Sequence, residues 1–139
     1  MAPDPRPFAL SPASHRPAAR WLAPGLWAAA ILVATSWPNP HVPTVRSGDK
    51  VVHVALYAGL AWLVVRALGP GVRGVRLALV VAATAAFAAA DEWHQRFIPG
   101  RSTSTADRIA DTAGATLGAL AAAAVHAATT RRAAALRGG

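Results

Sequence analysis

The chain has 139 residues, enough for one domain, and it is 54% apolar and only 14% charged. The mean hydropathy of +0.34 comes from long uninterrupted apolar runs rather than from the amphipathic stripes of a soluble domain. The net charge of +8 does not indicate nucleic-acid binding, because the basic residues flank the apolar runs instead of forming a patch. The absence of cysteine excludes disulfides, thiolate metal sites and thiol catalysis. We therefore expect an all-α polytopic membrane protein.

Residues 1–20 are predicted to form a disordered cytoplasmic tail, because this stretch is rich in proline and poor in apolar residues. An apolar run over residues 21–37 follows, with Trp21 and Trp37 at its two ends. Tryptophan is enriched at membrane interfaces, so this run predicts a first span. A cleaved signal peptide is the alternative, because Ala34, Thr35 and Ser36 resemble a small-residue cleavage site.

Three further spans are predicted over residues 51–68, 75–90 and 109–128. The second would be roughly 27 Å long at 1.5 Å per residue, close to the thickness of a bilayer core. Ser104 precedes Asp107 by three residues, which predicts a helix N-cap with an acid in the first turn. We expect one membrane domain over residues 21–130, a four-transmembrane-helix bundle, followed by a basic cytoplasmic tail over residues 131–139.

The loops predict the orientation of the bundle. With four spans, the two termini and the middle turn lie on one side of the membrane, and that side carries most of the cations. Loops rich in arginine and lysine stay in the cytoplasm, so both termini are predicted to be cytoplasmic. The cations on that side are Arg6, Arg16, Arg20, Arg66, Arg73, Arg76, Arg131, Arg132 and Arg137, against Asp4 alone.

The same topology brings the other two loops together at the extracytoplasmic face. Ionisable groups at the edge of apolar spans are costly to insert, so their concentration there predicts a functional site. Helical spacing of four puts Asp91 on one face with Gln95, Glu92 with Arg96, and Asp107 with Asp111. The candidate ligand-binding residues are Asp49, Lys50, Asp91, His94, Gln95, Arg101, Ser102 and Asp107.

The residue types in this group allow several chemistries. Glu92 and His53 are the candidate general acid or base groups. Arg101 could hold a phosphate or carboxylate through two parallel hydrogen bonds, with Lys50 as a point charge beside it. Histidines with carboxylates could instead hold a divalent metal, but Glu92 and His94 are two apart and do not face each other on a helix, so no metal ligand and no cofactor is assigned.

Gly114 and Gly118 follow one turn after Asp111. Small residues four apart allow another helix to approach closely, so this pair predicts a helix–helix contact and a possible partner face. The acidic residues of the fourth span would then face protein rather than lipid.

The ordered motifs resemble those of the VanZ-like family of bacterial membrane proteins. They are Asp49-Lys50-x-x-His53, Asp91-Glu92-x-His94-Gln95, Pro99-Gly100-Arg101-Ser102, and Asp107 with Gly114 and Gly118 downstream, so that the resemblance covers roughly residues 46–125. The family is named for a member linked to low-level resistance to teicoplanin, a glycopeptide that acts at the cell envelope. Asp111 stands where the family pattern usually has asparagine, which puts in doubt any role that needs a neutral amide there.

The leading hypothesis is a VanZ-like multi-pass protein of the bacterial cell membrane whose outer pocket recognises an anionic ligand. Membrane lipids or a lipid-linked envelope precursor are the expected partners, nucleic acid is not, and a link to glycopeptide resistance is what the resemblance implies. The first alternative is an intramembrane enzyme acting on a lipid headgroup or phosphate linkage, with Glu92 or His53 as the base and Asp91 or Asp107 as a metal ligand or orienting acid. The second is a structural protein in which the polar group only docks helices.

Overall fold

The computed structural model describes residues 18–38, 48–101 and 104–138, and within these ranges the side chain of Asp49 is not described. A single 3₁₀ turn, Ala19–Trp21, leads into α1, Leu22–Thr35. The other helices are α2, Gly48–Leu68, α3, Val75–Gln95, and α4, Thr105–Ala135. The prediction of an all-α chain with four helices is confirmed. The predicted tail lies outside the described residues up to residue 17.

The helix ends follow local chemistry. Ser104 is the N-cap of α4, and its hydroxyl accepts a hydrogen bond of 3.3 Å from the backbone N–H of Asp107, as the spacing of these residues predicts. Gly69 ends α2 with a φ of +84°, which glycine adopts without a steric cost, while its N–H donates to the carbonyl of Val65. The turn after it brings α3 back along α2.

Three helices extend beyond the predicted spans, and α2 does so at its start, which is Gly48 instead of residue 51. The third span is predicted to end at residue 90, and α3 continues to Gln95 because Asp91 and Glu92 are buried and bonded to other helices, while the buried Gln95 is bonded to Asp91. The fourth span is predicted over residues 109–128, and α4 occupies Thr105–Ala135, because it starts at the predicted Ser104 cap and its alanine-rich C-terminal part has high helix propensity.

The four helices alternate in direction along the chain, which makes α2 and α4 parallel neighbours. Gly114 lies against Val54 and Gly118 against Ala58, at the same spacing on both helices. A Cβ added at Gly118 would lie 2.7 Å from the carbonyl carbon of Ala58, so the two backbones are in direct contact. The predicted close helix contact is therefore made within the chain, by α2.

The core between α2 and α4 is built largely from small residues. Ala61 and Val65 of α2 pack with Ala115 and Ala119 of α4, all of them fully buried. A second cluster joins the first three helices through Ile31, Tyr57, Leu60 and Ala88.

By length and composition, two helices are apolar enough to cross a membrane. These are the segments Lys50–Leu68 and Thr105–Ala135, with mean hydropathies of 1.8 and 1.2. The apolar segment Ala19–Thr35 is shorter than a full span, and α3 does not meet the same criterion. Membrane-like helices are thus present, while the crossing of the membrane by the four helices stays a prediction.

Candidate functional site

Polar side chains from all four helices gather at one end of the fold. This end holds the last turns of α1 and α3 and the first turns of α2 and α4. We call the group the polar cluster: Thr35, Ser36, Lys50, His53, Tyr57, Asp91, Glu92, His94, Gln95, Arg101, Asp107, Arg108 and Asp111.

Asp91 is the most buried acid of the cluster, with 2% of its surface exposed. Its Oδ1 accepts a hydrogen bond of 2.7 Å from the hydroxyl of Thr35, and its Oδ2 accepts from the Tyr57 hydroxyl at 3.2 Å and the Gln95 amide at 3.0 Å. Among the described residues no cationic side chain lies within ion-pair distance of it. Three neutral donors therefore satisfy this carboxyl group, and they tie α1, α2 and α3 together.

Arg101 lies in the loop between α3 and α4 and reaches α1. Its Nε donates a hydrogen bond of 3.1 Å to the backbone carbonyl of Thr35, whose hydroxyl is bonded to Asp91. In the described part of the chain, no carboxylate lies within ion-pair distance of the Arg101 guanidinium. A carbonyl fixes the position of this cation without neutralising its charge.

Two acid–base contacts connect the parallel helices α2 and α4. His53 Nδ1 lies 2.9 Å from Asp111 Oδ1, and because a carboxylate accepts hydrogen bonds, Nδ1 carries the proton in this contact. Lys50 Nζ lies 3.7 Å from Asp107 Oδ1, an ion-pair distance that is too long for a hydrogen bond. The His53–Asp111 contact is partly buried and the Lys50–Asp107 contact lies nearer the surface, since half of the Lys50 side chain is exposed.

Glu92 joins α3 to α4. Its Oε2 pairs with Arg108 Nε at 2.5 Å, while its other oxygen, Oε1, is buried and has no hydrogen-bond partner among the described residues. The Glu92 side chain is 8% exposed and that of Arg108 is 48% exposed. The ion pair therefore runs from the interior of the cluster to the surface.

The remaining predicted site residue on α3 is His94. Its Nε2 lies 3.1 Å from the Ser36 hydroxyl at the end of α1, in an exposed position. Next to it, Trp93 is exposed and packs edge-on against Phe97, with the guanidinium of Arg96 5.1 Å from the Trp93 ring centroid. This aromatic group lies outside the network of hydrogen bonds.

Most of the predicted site residues meet in the cluster. Asp91 and Gln95, which are expected to share a helix face, are joined by a hydrogen bond. Glu92 is expected to share a face with Arg96, but its ion pair is with Arg108. The side chain of Asp49 and the whole of Ser102 lie outside the described residues. The roles of these residues in binding or catalysis stay predictions.

Sequence reasoning did not include Thr35, Ser36, Tyr57 and Arg108 among the site residues. Thr35 and Ser36 end an apolar run, and that position had been considered only as a cleavage signal. Their contacts with Asp91 and His94 join residues more than fifty positions apart, which helical spacing cannot indicate. Arg108 is adjacent to Asp107 in the sequence, but no sequence spacing predicts its ion pair with Glu92.

The sequence assigns no metal ligand. Within the described ranges, no three histidine or acidic side chains are grouped closely enough to hold a metal ion. The carboxylates instead contact hydroxyl, amide, imidazole, ammonium and guanidinium groups.

Comparison with known proteins identifies one family. The model of the VanZ/LLP1 family matches residues 5–126, which include the four helices through most of α4 and the whole polar cluster. No curated protein and no solved structure gives a significant match.

Proposed function

This chain belongs to the VanZ/LLP1 family, and on that premise we propose that it is a multi-pass membrane protein that binds the anionic headgroup of an amphipathic ligand. The binding site is the polar cluster, at the extracytoplasmic face. The observation that carries the proposal is Arg101, whose Nε is held by the Thr35 carbonyl and whose charge is not paired with a described carboxylate. A guanidinium held in this way binds phosphate or carboxylate well.

The surface of the helices supports the membrane setting. In the apolar 18-residue segment of α2, and in that of α4, only 28% is buried within the chain. Large apolar side chains such as Leu26, Leu79, Ile109 and Leu117 are more than half exposed. A soluble protein would cover such side chains, whereas lipid tails solvate them.

The polar cluster also has the composition expected of a headgroup site. Lys50 and Arg108 are half-exposed cations at its edge, and the partly buried Arg101 is a third cation of the cluster. The acids lie deeper, with Asp91, Glu92 and Asp111 buried. An approaching anion would therefore meet positive charge first, and the buried Glu92 holds Arg108 in place.

The test is native mass spectrometry of the protein released from membranes in detergent, comparing wild type with Arg101→Ala. We expect an anionic lipid to remain on the wild-type protein and its binding to be at least about tenfold weaker in the variant, since hydrogen bonds to charged groups contribute roughly 1.5–3 kcal/mol. Arg96→Ala is the matched control, because Arg96 lies at the same end of the fold but contacts Trp93. Equal retention in all three proteins would exclude Arg101 as the anion site.

A structural role is the second candidate, and the pattern of contacts favours it over catalysis. Each cluster acid is bonded to a helix other than its own: Asp91 to α1 and α2, Glu92 to α4, and Asp107 and Asp111 to α2. If docking is the whole function, Arg101→Ala and Glu92→Gln will both lower the amount of folded protein. A binding site predicts normal abundance for Arg101→Ala.

Catalysis by Glu92 or His53, and a contribution to teicoplanin resistance, stay predictions. Both candidate residues are engaged in contacts within the chain, His53 with Asp111 and Glu92 with Arg108. An enzyme would lose turnover with Glu92→Gln while keeping its fold and its bound ligand.

A further inference from the structure

The C-terminal end of α1 carries a serine whose hydroxyl contacts a histidine of another helix. Ser36 Oγ lies 3.1 Å from His94 Nε2, and the contact is exposed. Thr112, Thr116 and Thr130 each donate the hydroxyl hydrogen to the carbonyl one turn back in their own helix. Ser36 makes no such bond within the described residues, so its hydroxyl hydrogen can be donated to the imidazole.

The contact has the chemistry of an activated nucleophile, in which a serine hydroxyl lies within hydrogen-bond reach of a histidine nitrogen. When Ser36 donates to Nε2, the imidazole of His94 carries its own proton on Nδ1, and Nε2 is the base. In the described part of the chain, neither side chain of this pair is bonded to an acid or a cation. The pair therefore differs from Glu92 and His53, which are both engaged in acid–base contacts.

Arg101 is held beside this pair. Its Nε donates to the Thr35 carbonyl, which belongs to the peptide bond between Thr35 and Ser36. Standard bond lengths then keep Arg101 Nε within about 8 Å of the Ser36 hydroxyl oxygen. In a glycerophospholipid the ester carbonyls are only a few bonds from the phosphate. A phosphate bound to Arg101 thus brings an ester carbonyl within reach of Ser36.

Exposed tryptophans next to the pair indicate its depth in a membrane. Trp37 follows Ser36 and Trp93 precedes His94, and the two tryptophans are 68% and 61% exposed. Tryptophan rings are enriched at the level of the lipid headgroups. In a membrane the pair would therefore lie where water meets the ester groups of the lipid.

We infer that Ser36 and His94 form a nucleophile–base pair that hydrolyses a carboxylic ester of the lipid bound at Arg101. His94 Nε2 takes the hydroxyl proton while Ser36 Oγ bonds to the ester carbonyl carbon. The bond from that carbon to the alcohol oxygen breaks, the alcohol oxygen receives the proton from Nε2, and the acyl group stays on Ser36. Water then displaces Ser36 Oγ through the same proton transfers and releases a fatty acid. The inference rests on the proposed function, because Arg101 holds the headgroup.

The experiment labels the nucleophile and measures the product. Full-length wild type, Ser36→Ala and His94→Gln are treated in detergent with a fluorophosphonate, which bonds covalently to activated serine hydroxyls, and peptide mass spectrometry locates the label. The same proteins and Arg101→Ala are incubated with dioleoyl phosphatidylglycerol, and the released oleate is measured. Thr130→Ala is the matched control, because it removes an exposed hydroxyl of α4. Circular dichroism and gel filtration check the fold.

We expect wild type and Thr130→Ala to carry the label on Ser36 and to release oleate, and Ser36→Ala to do neither. His94→Gln should lower both rates at least about 100-fold, which is the contribution of a general base. Arg101→Ala should keep the label and release less oleate, since it weakens binding of the lipid and leaves the pair intact.

Folded wild type with neither label nor oleate release would overturn the inference, while the headgroup site would still be judged by lipid retention in Arg101→Ala. A label on Ser36 that persists in His94→Gln would overturn the role of His94 as the base. Release of the headgroup without oleate would place the reaction at the phosphodiester and overturn ester hydrolysis. If Ser36 is labelled and Arg101→Ala binds and cleaves the lipid like wild type, the pair is supported and Arg101 is excluded as the headgroup site.

Discussion

Thr35 shows how one hydroxyl group can connect a helix end to a distant acid. Its Oγ1 lies 2.9 Å from the carbonyl of Ile31, one turn back in α1, and 2.7 Å from Asp91 Oδ1 on α3. Its backbone carbonyl also accepts from Arg101. Replacing this residue should therefore disturb both the packing of α1 and the position of the candidate anion-binding side chain.

We predict that Thr35→Val lowers the free energy of unfolding by about 1–2 kcal/mol, because a buried carboxylate oxygen loses its donor. Thr129→Val is the matched control, since the Thr129 hydroxyl bonds only to carbonyls of its own helix and is exposed. That change should stay within about 0.5 kcal/mol. The free energies of unfolding of both variants are measured by equilibrium unfolding in detergent, monitored by far-UV circular dichroism. Equal losses of stability in the two variants would contradict a stabilising role for the Thr35–Asp91 bond.

At the scale of the helices, the contact between α2 and α4 dominates the packing. The two glycines of α4 bring its backbone against α2, and this approach places Asp107 and Asp111 beside Lys50 and His53. Without the close approach, these side chains could not reach each other. The contacts between α2 and α4 in the polar cluster therefore depend on Gly114 and Gly118.

Adding a single methyl group at this contact should separate the helices. We predict that Gly118→Ala destabilises the protein by roughly 1–3 kcal/mol, as expected for overpacking against a backbone that cannot move away. Gly25→Ala should have the opposite sign and stabilise by roughly 0.5–1 kcal/mol, because Gly25 is helical with nothing within 4 Å of an added Cβ. Thermal unfolding of the two variants beside wild type checks the difference in sign.

The helices and their main contact were largely predictable from the sequence, because they depend on residues close together along the chain. Hydropathy runs predict the helices, the spacing of Ser104 and Asp107 predicts the cap, and the spacing of Gly114 and Gly118 predicts the close contact. The end of α3 was not predictable in the same way. Its last turn is polar in sequence, and it is buried only because Thr35, Tyr57 and Arg108 come to it from other helices.

For the molecule as a whole, the alternating helices place the arginines of the α2–α3 turn and of the α4 C-terminus at the end opposite the polar cluster. The positive-inside rule then predicts that this opposite end is cytoplasmic and that the cluster faces outward. The sequence contributes the charges, and the contacts of the cluster show which helix ends lie together.

The orientation can be tested with single cysteines, because the natural chain has none. We predict that a membrane-impermeant maleimide added to intact cells labels Pro99→Cys, at the cluster end, but not Pro70→Cys, in the α2–α3 turn. Neither change alters the charge of the loops. Labelling of Pro70→Cys alone would reverse the orientation and move the candidate site to the inner face, and permeabilised cells provide the control for reactivity.

The parallel pairing of α2 and α4 also affects the order of events during synthesis. The ribosome completes α2 well before Gly114 and Gly118 emerge, and α3 must turn back before α4 can reach its neighbour. During that interval His53 cannot contact Asp111, and the face of α2 around Val54 and Ala58 is not yet packed against α4. A nascent chain halted before residue 118 therefore presents an incomplete helix pair, which is the kind of surface that membrane quality-control proteases and chaperones recognise.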